Sequence, residues 1–241
     1  MEELGHKPST LETRVAVAPG SDTLQTTRTK GFALIGLAIA FGWPLILLIP
    51  GVSGFSIANV RDDAVNIGLK WLVVAGLCLI VFRAQRRPLS EVGIRGVRWR
   101  DVLAAIGGAI IGIVLSGVAS YMAAIQPSVN DLQEIAAVPL SLRAALVLTA
   151  AICEEFIYRG FAIEELTFLK SKRWLSAVVT WASFTVSHGL PDKLSTALFV
   201  PGTLGAVLTM LYLWRRNLAS CAMMHVIVDA VFLLILPAMV K

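Results

Sequence analysis

Seven apolar stretches alternate with short polar segments along the chain, at residues 31–49, 64–82, 102–124, 140–169, 174–187, 194–214 and 218–240. A helix needs roughly 20 apolar residues to cross a hydrocarbon layer of about 30 Å, and most of the stretches approach that length. The pattern therefore predicts an all-α, polytopic transmembrane helical bundle of about seven spans. Pro44 sits inside the first stretch and predicts a kink there. The fifth stretch is short, and Gly189-Leu190-Pro191 ends it, which predicts a partial or tilted helix. In the third, Gly108, Gly112, Ser116 and Ser120 recur every fourth residue. They put small side chains on one face and let another helix approach closely. Residues 1–30 are polar and without periodicity, and read as a flexible tail. Behind it the pattern divides into the first two spans with a basic interfacial loop (31–101) and a core (102–241).

Charge adds an orientation. The tail carries Lys7, Arg14, Arg28 and Lys30, and the loop after the second stretch carries Arg83, Arg86, Arg87, Arg95, Arg98 and Arg100. Lys170, Lys172 and Arg173 follow the fourth stretch, and Arg215 and Arg216 the sixth. The intervening segments are poor in positive charge: Arg61 stands with Asp62 and Asp63, Asp131 with Glu134, and Asp192 with Lys193. This alternation follows the positive-inside rule and predicts a cytoplasmic N-terminus. Segment 89–100 mixes apolar and basic residues, as a segment in the cytoplasmic interface would. Lys70, near one end of its stretch, is expected to reach for the interface.

Composition agrees with this class. Of the 241 residues 56% are hydrophobic and 15% charged, with a formal net charge of +5, against about 25% charged in soluble domains. The basic residues lie in short runs between apolar stretches, which argues for a bilayer partner and against nucleic acid. Cys78, Cys153 and Cys221 all lie in apolar stretches and read as small buried hydrophobes, although Cys153 abuts Glu154.

Against this background the ionisable residues inside the stretches stand out, because each costs about 2.5–3.5 kcal/mol at membrane depth on insertion scales. Glu154, Glu155 and Arg159 lie in the fourth stretch, His188 ends the fifth, and His225 and Asp229 lie in the last. Residues four apart share a helix face. Glu155 can thus pair with Arg159, Phe184 stands beside His188, and Asp229 can orient His225. Glu154 is rotated about 100° from Glu155 in an α-helix and is left without a local partner. Amide hydrolysis needs a base for water, an oxyanion contact and a proton for the leaving amine. Glu154 with His188 suits the first role and His225 with Asp229 the second, although an ionised Asp cannot donate a hydrogen bond. Zinc or another divalent metal held by Glu154, His188 and His225 is the competing arrangement, without the HExxH spacing that would mark it. Glu164-Glu165, close to Lys170, reads as an interfacial or helix-end pair.

Glu154-Glu155-x-x-x-Arg159, Phe184-x-x-x-His188 and His225-x-x-x-Asp229, in that order, resemble the three motifs of the CPBP (CAAX protease and bacteriocin-processing, or Abi) membrane proteases. That family includes the type II CAAX prenyl protease and lysostaphin resistance protein A. Arg215-Arg216-Asn217-Leu218 ahead of His225 is similar too, and the resemblance covers roughly residues 102–240. It implies a helical membrane fold with a polar intramembrane cavity and an endopeptidase acting on a membrane-associated or prenylated-type protein or peptide. Glu154 and His188 would activate water, with His225 and Asp229 at the oxyanion site and Glu155, Arg159 and Phe184 in support. Members closest to the prenyl protease carry Asn where this chain has Asp229. The expected location is the plasma membrane of a prokaryote. A proton-coupled transporter and a non-catalytic immunity or scaffold protein of the same fold are the alternatives.

Overall fold

Backbone polar groups in hydrocarbon must bond within their own segment, which leaves helices as the economical solution for a chain this apolar. The computed structural model describes residues 21–48, 60–125, 127–189 and 198–240, and every regular element among them is helical. Helix α1 (Ser21–Gly42) tightens into a 3₁₀ segment, Trp43–Leu48, at Pro44. Helix α2 (Val60–Cys78) ends in a π-helical turn, Leu79–Ala84. Helix α3 is Trp99–Met122, and α4 is the short Val129–Ala137. One long rod follows: α5 (Leu140–Thr149), a π-helical stretch (Ala150–Ala162) and α6 (Ile163–Phe168). Helices α7 (Arg173–Gly189), α8 (Pro201–Arg215) and α9 (Leu218–Ala230) complete the bundle, α9 running on through a π turn (Val231–Ile235) into α10 (Leu236–Ala238).

Four of the described helical segments are long and apolar enough to cross a membrane: Thr29–Ile46, Asp63–Ala84, Trp99–Met122 and Leu218–Ala238. The bent pair Val129–Ala137 and Leu140–Phe168, turned by 99°, makes a fifth. Seven spans are not confirmed among the described residues, where α7 and α8 have 17 and 15 residues. At 1.5 Å per residue they are each about 22–26 Å long, short of a full crossing. Segment 189–191, expected to break the fifth span, lies outside the described residues beyond Gly189, as does the Asp192–Lys193 pair. Helix α1 starts at Ser21, inside the stretch expected as tail; residues 1–20 lie outside the description.

The long rod is the axis of the core. Cys153 to Glu165 are all buried, and α1, α2, α7 and α9 pack around them. Helix α3 lies against α8 and α9 through its small-residue face. A Cβ on Gly108 would fall 2.9 Å from Met224 Sδ, and one on Gly112 3.0 Å from Leu204 Cδ2. Its other face presents Leu103, Ile106, Ile110, Val114 and Val118 outward, as a lipid-facing surface requires. Helix α4 buries none of its residues. Its first turn is closed by a capping box in which Asp131 N donates to Ser128 Oγ and Ser128 N donates to Asp131 Oδ2.

One end of the bundle gathers the basic residues, confirming that successive helices reverse direction. Glu164 accepts from Arg173 Nη1 at 3.0 Å, from Arg216 Nη2 at 2.9 Å and from the Tyr212 hydroxyl at 3.0 Å. Glu165 accepts from Gln85 Nε2 at 2.9 Å and from Arg87. Asp101 accepts from Arg215 Nη2 at 2.7 Å and from Asn217 Nδ2 at 3.2 Å. The Glu164–Glu165 pair is thus at a helix end, as expected, but buried under arginines rather than open to the interface. The 89–100 segment is likewise docked. Its 3₁₀ turn, Leu89–Val92, leads into Gly93 at φ 79°, whose carbonyl accepts from Leu218 N at 2.8 Å. A Cβ at Gly160, on the rod beneath, would meet Val92 O at 2.8 Å, so only glycine allows this approach.

Candidate active site

The π-helical stretch Ala150–Ala162 carries the first motif. Hydrogen bonds in such a stretch run from residue i to i+5, so it is wider than an α-helix and turns less than 100° per residue. Glu154 and Glu155 nevertheless face different neighbours, as the rotation argument requires. Glu155 Oε1 accepts from Arg159 Nη1 at 2.9 Å, four residues on. Both side chains are essentially inaccessible, at 1% and 0%. Arg159 Nη2 also donates to the Gly205 carbonyl of α8 at 3.2 Å, and the guanidinium lies 4.5 Å from the Phe184 ring centroid.

His225 enters from α9. Its Nδ1 stands 2.8 Å from Glu155 Oε1, and its Nε2 is 3.4 Å from Asp229 Oδ2 on the next turn. Glu155 is thereby more than the local brace of Arg159: it ties the rod to α9. Asp229 is the more open of the two carboxylates facing His225, 22% exposed.

His188, at the end of α7, completes the set. Its Nδ1 lies 2.9 Å from the Phe184 carbonyl one turn earlier, which orients the ring. The Phe184 and His188 rings are 4.4 Å apart, and Tyr158 meets Phe184 edge-on at 5.2 Å. Tyr158 donates to Ser187 Oγ at 3.1 Å, and Ser187 donates to the Phe184 carbonyl at 2.7 Å. His188 Nε2 is left facing Glu154 Oε2 across 3.7 Å. That is too long for a hydrogen bond and short enough for one water to touch both. Glu154 Oε2 is buried and has no hydrogen-bond partner of its own. His188 is about one-third exposed, so the pair is reachable.

Glu154, expected to lack a local partner, takes one from a distant element, α2. Lys70 Nζ sits 2.5 Å from Glu154 Oε1, with its side chain 14% exposed. Lys70 points inward rather than to the interface, and the ammonium lies 5.8 Å from the Trp43 ring centroid. A signal existed: Asp63, Asn66, Lys70, Val74 and Leu77 follow one another at spacings of three and four along α2, continued by Val81 in the π turn, and all but Lys70 are buried. Arg143 is a second buried cation the motif reading passed over. Its Nη1 donates to Leu233 O at 2.8 Å, inside the π turn that follows α9, and its Nε to Val138 O at 3.1 Å. It pins the α4–α5 bend to the segment just beyond Asp229.

The metal arrangement does not fit as the side chains stand. Glu154 Oε1 holds an ammonium, and both His225 nitrogens face carboxylates. Among the described residues no three His, Cys, Asp or Glu side chains are grouped to hold a metal ion. Cys153 and Cys221 are fully buried. The Cys221 thiol lies against the Leu208 carbonyl at 3.8 Å, a packing role.

Comparison with curated proteins and with solved structures returned no match. A family model did match: residues 134–231 fit the one described as type II CAAX prenyl endopeptidase Rce1-like. All three motifs fall inside that segment. The part of the chain that carries the three motifs, from Glu154 on the rod to Asp229 on α9, is therefore similar to the Rce1-like CAAX prenyl endopeptidases.

Proposed function

We propose that this membrane protein is an intramembrane endopeptidase in which Glu154 and His188 activate the hydrolytic water. The observation that carries the reading is the unbonded Glu154 Oε2 facing His188 Nε2 at 3.7 Å in a buried, reachable position. A water between them would give a proton to Glu154 Oε2 while its oxygen attacks the peptide carbonyl carbon. The carbonyl oxygen takes the negative charge. His225, as an imidazolium donating from Nδ1 to Glu155, has its Nε2–H to offer that oxyanion. Asp229, an acceptor when ionised, acts through His225. Collapse of the intermediate breaks the C–N bond, and the proton held by Glu154 passes to the leaving amine. The products are one acid and one amine, with one water consumed.

The substrate is a membrane-associated protein or peptide, of which a prenylated CAAX segment is one candidate. The location is the plasma membrane of a prokaryote with the basic end in the cytoplasm. The loop charges support this orientation. The test uses purified protein in detergent with a quenched peptide library that includes prenylated C-terminal peptides. Cleavage is expected, with Glu154→Ala and His188→Ala reducing kcat by about 10²–10⁴, the range for general acid–base groups. Undiminished cleavage by either variant refutes the water-activating pair. Uptake by proteoliposomes without cleavage would instead establish a transporter.

A further inference from the structure

Lys70 lies on α2, outside the segment that the family model covers, yet it makes a direct polar contact with the proposed base. Three features hold its ammonium in place. The neighbouring Trp71 donates its indole N–H to Thr149 Oγ1 at 3.2 Å, which sets the register of α2 against α5 one turn before Glu154. The buried Trp43 ring flanks the ammonium at 5.8 Å. The ammonium itself is 2.5 Å from Glu154 Oε1. A carboxylate can otherwise rotate and exchange its two oxygens. With a lysine fixed on Oε1, one oxygen is occupied and the other is presented to His188.

We infer that Lys70 is a positioning residue of the active site, clamping Glu154 Oε1 so that Oε2 alone meets His188 and the attacking water. The inference rests on the proteolytic reading above. A merely structural lysine would neutralise a buried carboxylate and matter for folding only. A positioning lysine acts on turnover, because misplacing a reacting group by about 1 Å can cost on the order of 10²-fold in rate.

The experiment measures kcat and KM separately for wild type, Lys70→Met, Lys70→Arg, Glu154→Gln and the Lys70→Met/Glu154→Gln double variant, using one quenched peptide. Thermal unfolding in detergent is recorded for each. Lys70→Met is expected to fold and to lose about 10–100-fold in kcat, with KM within about twofold. Lys70→Arg keeps the charge but replaces a compact ammonium by a planar fork, and is expected about 3–10-fold below wild type. The double variant is expected to match Glu154→Gln, because Lys70 acts only through that carboxylate. A wild-type kcat in Lys70→Met, an effect confined to KM, or a double variant slower than Glu154→Gln overturns the inference while leaving the protease intact. If Lys70→Met does not fold, Lys70→Arg decides: wild-type kcat in that variant reduces Lys70 to a counter-ion. Wild-type protein that cleaves nothing removes the proteolytic reading and this inference with it.

Discussion

Replacing Arg159 by Met removes the charge that Glu155 depends on while keeping most of the side-chain volume. Arg159 is fully buried, donates to Glu155 and to the Gly205 carbonyl, and stacks on Phe184. Breaking a buried ion pair from one side costs about 3–5 kcal/mol, since it strands the other charge. Here His225 Nδ1 remains 2.8 Å from Glu155 Oε1 and keeps part of the compensation. Arg159 Nε has no hydrogen-bond partner, so its removal returns a little. A net loss of about 3 kcal/mol follows, at the lower end of that range. For a chain of this length about 2–4 °C of melting temperature accompanies each kcal/mol. A fall of about 6–12 °C is therefore expected for Arg159→Met in detergent, followed by differential scanning fluorimetry. The partner experiment is Glu155→Gln/Arg159→Met, in which no charge is stranded and a large part of the loss should return. An Arg159→Met protein melting within about 2 °C of wild type refutes the argument. So does a double variant that melts lower than the single one, because it would show that the pair is not the unit of stability.

The remaining predictions concern the neighbours of this unit. A Cβ added at Gly205 would lie 2.8 Å from Phe184 Cδ1, so Gly205→Ala should displace the ring that stacks on His188, lowering stability by about 1–3 kcal/mol and cutting kcat; equal stability and activity would show that the α7–α8 contact yields. Asp229→Asn keeps a side-chain oxygen acceptor for His225 Nε2, which stands 3.4 Å from Asp229 Oδ2, and is expected to stay within about threefold of wild-type kcat, whereas Asp229→Ala should fall by roughly 10², comparable to losing one oxyanion-site group; equal loss in both variants would mean that the carboxylate itself is required. Glu165→Ala removes one of the two carboxylates that hold Arg87, whose side chain is only 12% exposed and which keeps Glu91. It should cost about 1–3 kcal/mol without altering KM, measured by unfolding and by kinetics on the same preparation.

The parts of the site that the sequence made legible are those that helix geometry alone determines. Glu155 with Arg159, Phe184 with His188 and His225 with Asp229 are each four residues apart, and each pair meets in the structure. Their joining was legible only as a requirement of cost, because six ionisable groups at membrane depth need partners. Which partner each takes is a matter of helix register between elements far apart in sequence. Lys70 and Glu154 are separated by 84 positions, and no local spacing relates them. Glu165 and Arg87 are 78 apart, so Glu165 read as a helix-end residue near lysines although it is buried under an arginine.

The count of seven spans, drawn from apolar length, is matched by four or five among the described residues. Apolar length reports that a segment avoids water without saying whether lipid or protein replaces it. Helix α7 packs one face on the rod and α8 one face on α3, while Leu175, Val178, Val179 and Val186 of α7 and Met210 and Trp214 of α8 stay exposed. His188 lies fifteen residues into α7 from Arg173 on the basic end and stands beside Glu154. His225, seven residues into α9 from the same basic end, comes to the Glu155 side of the rod. The rod between them presents adjacent glutamates to one histidine each, so the order Glu154–His188 and Glu155–His225 follows from which side of the rod each helix packs.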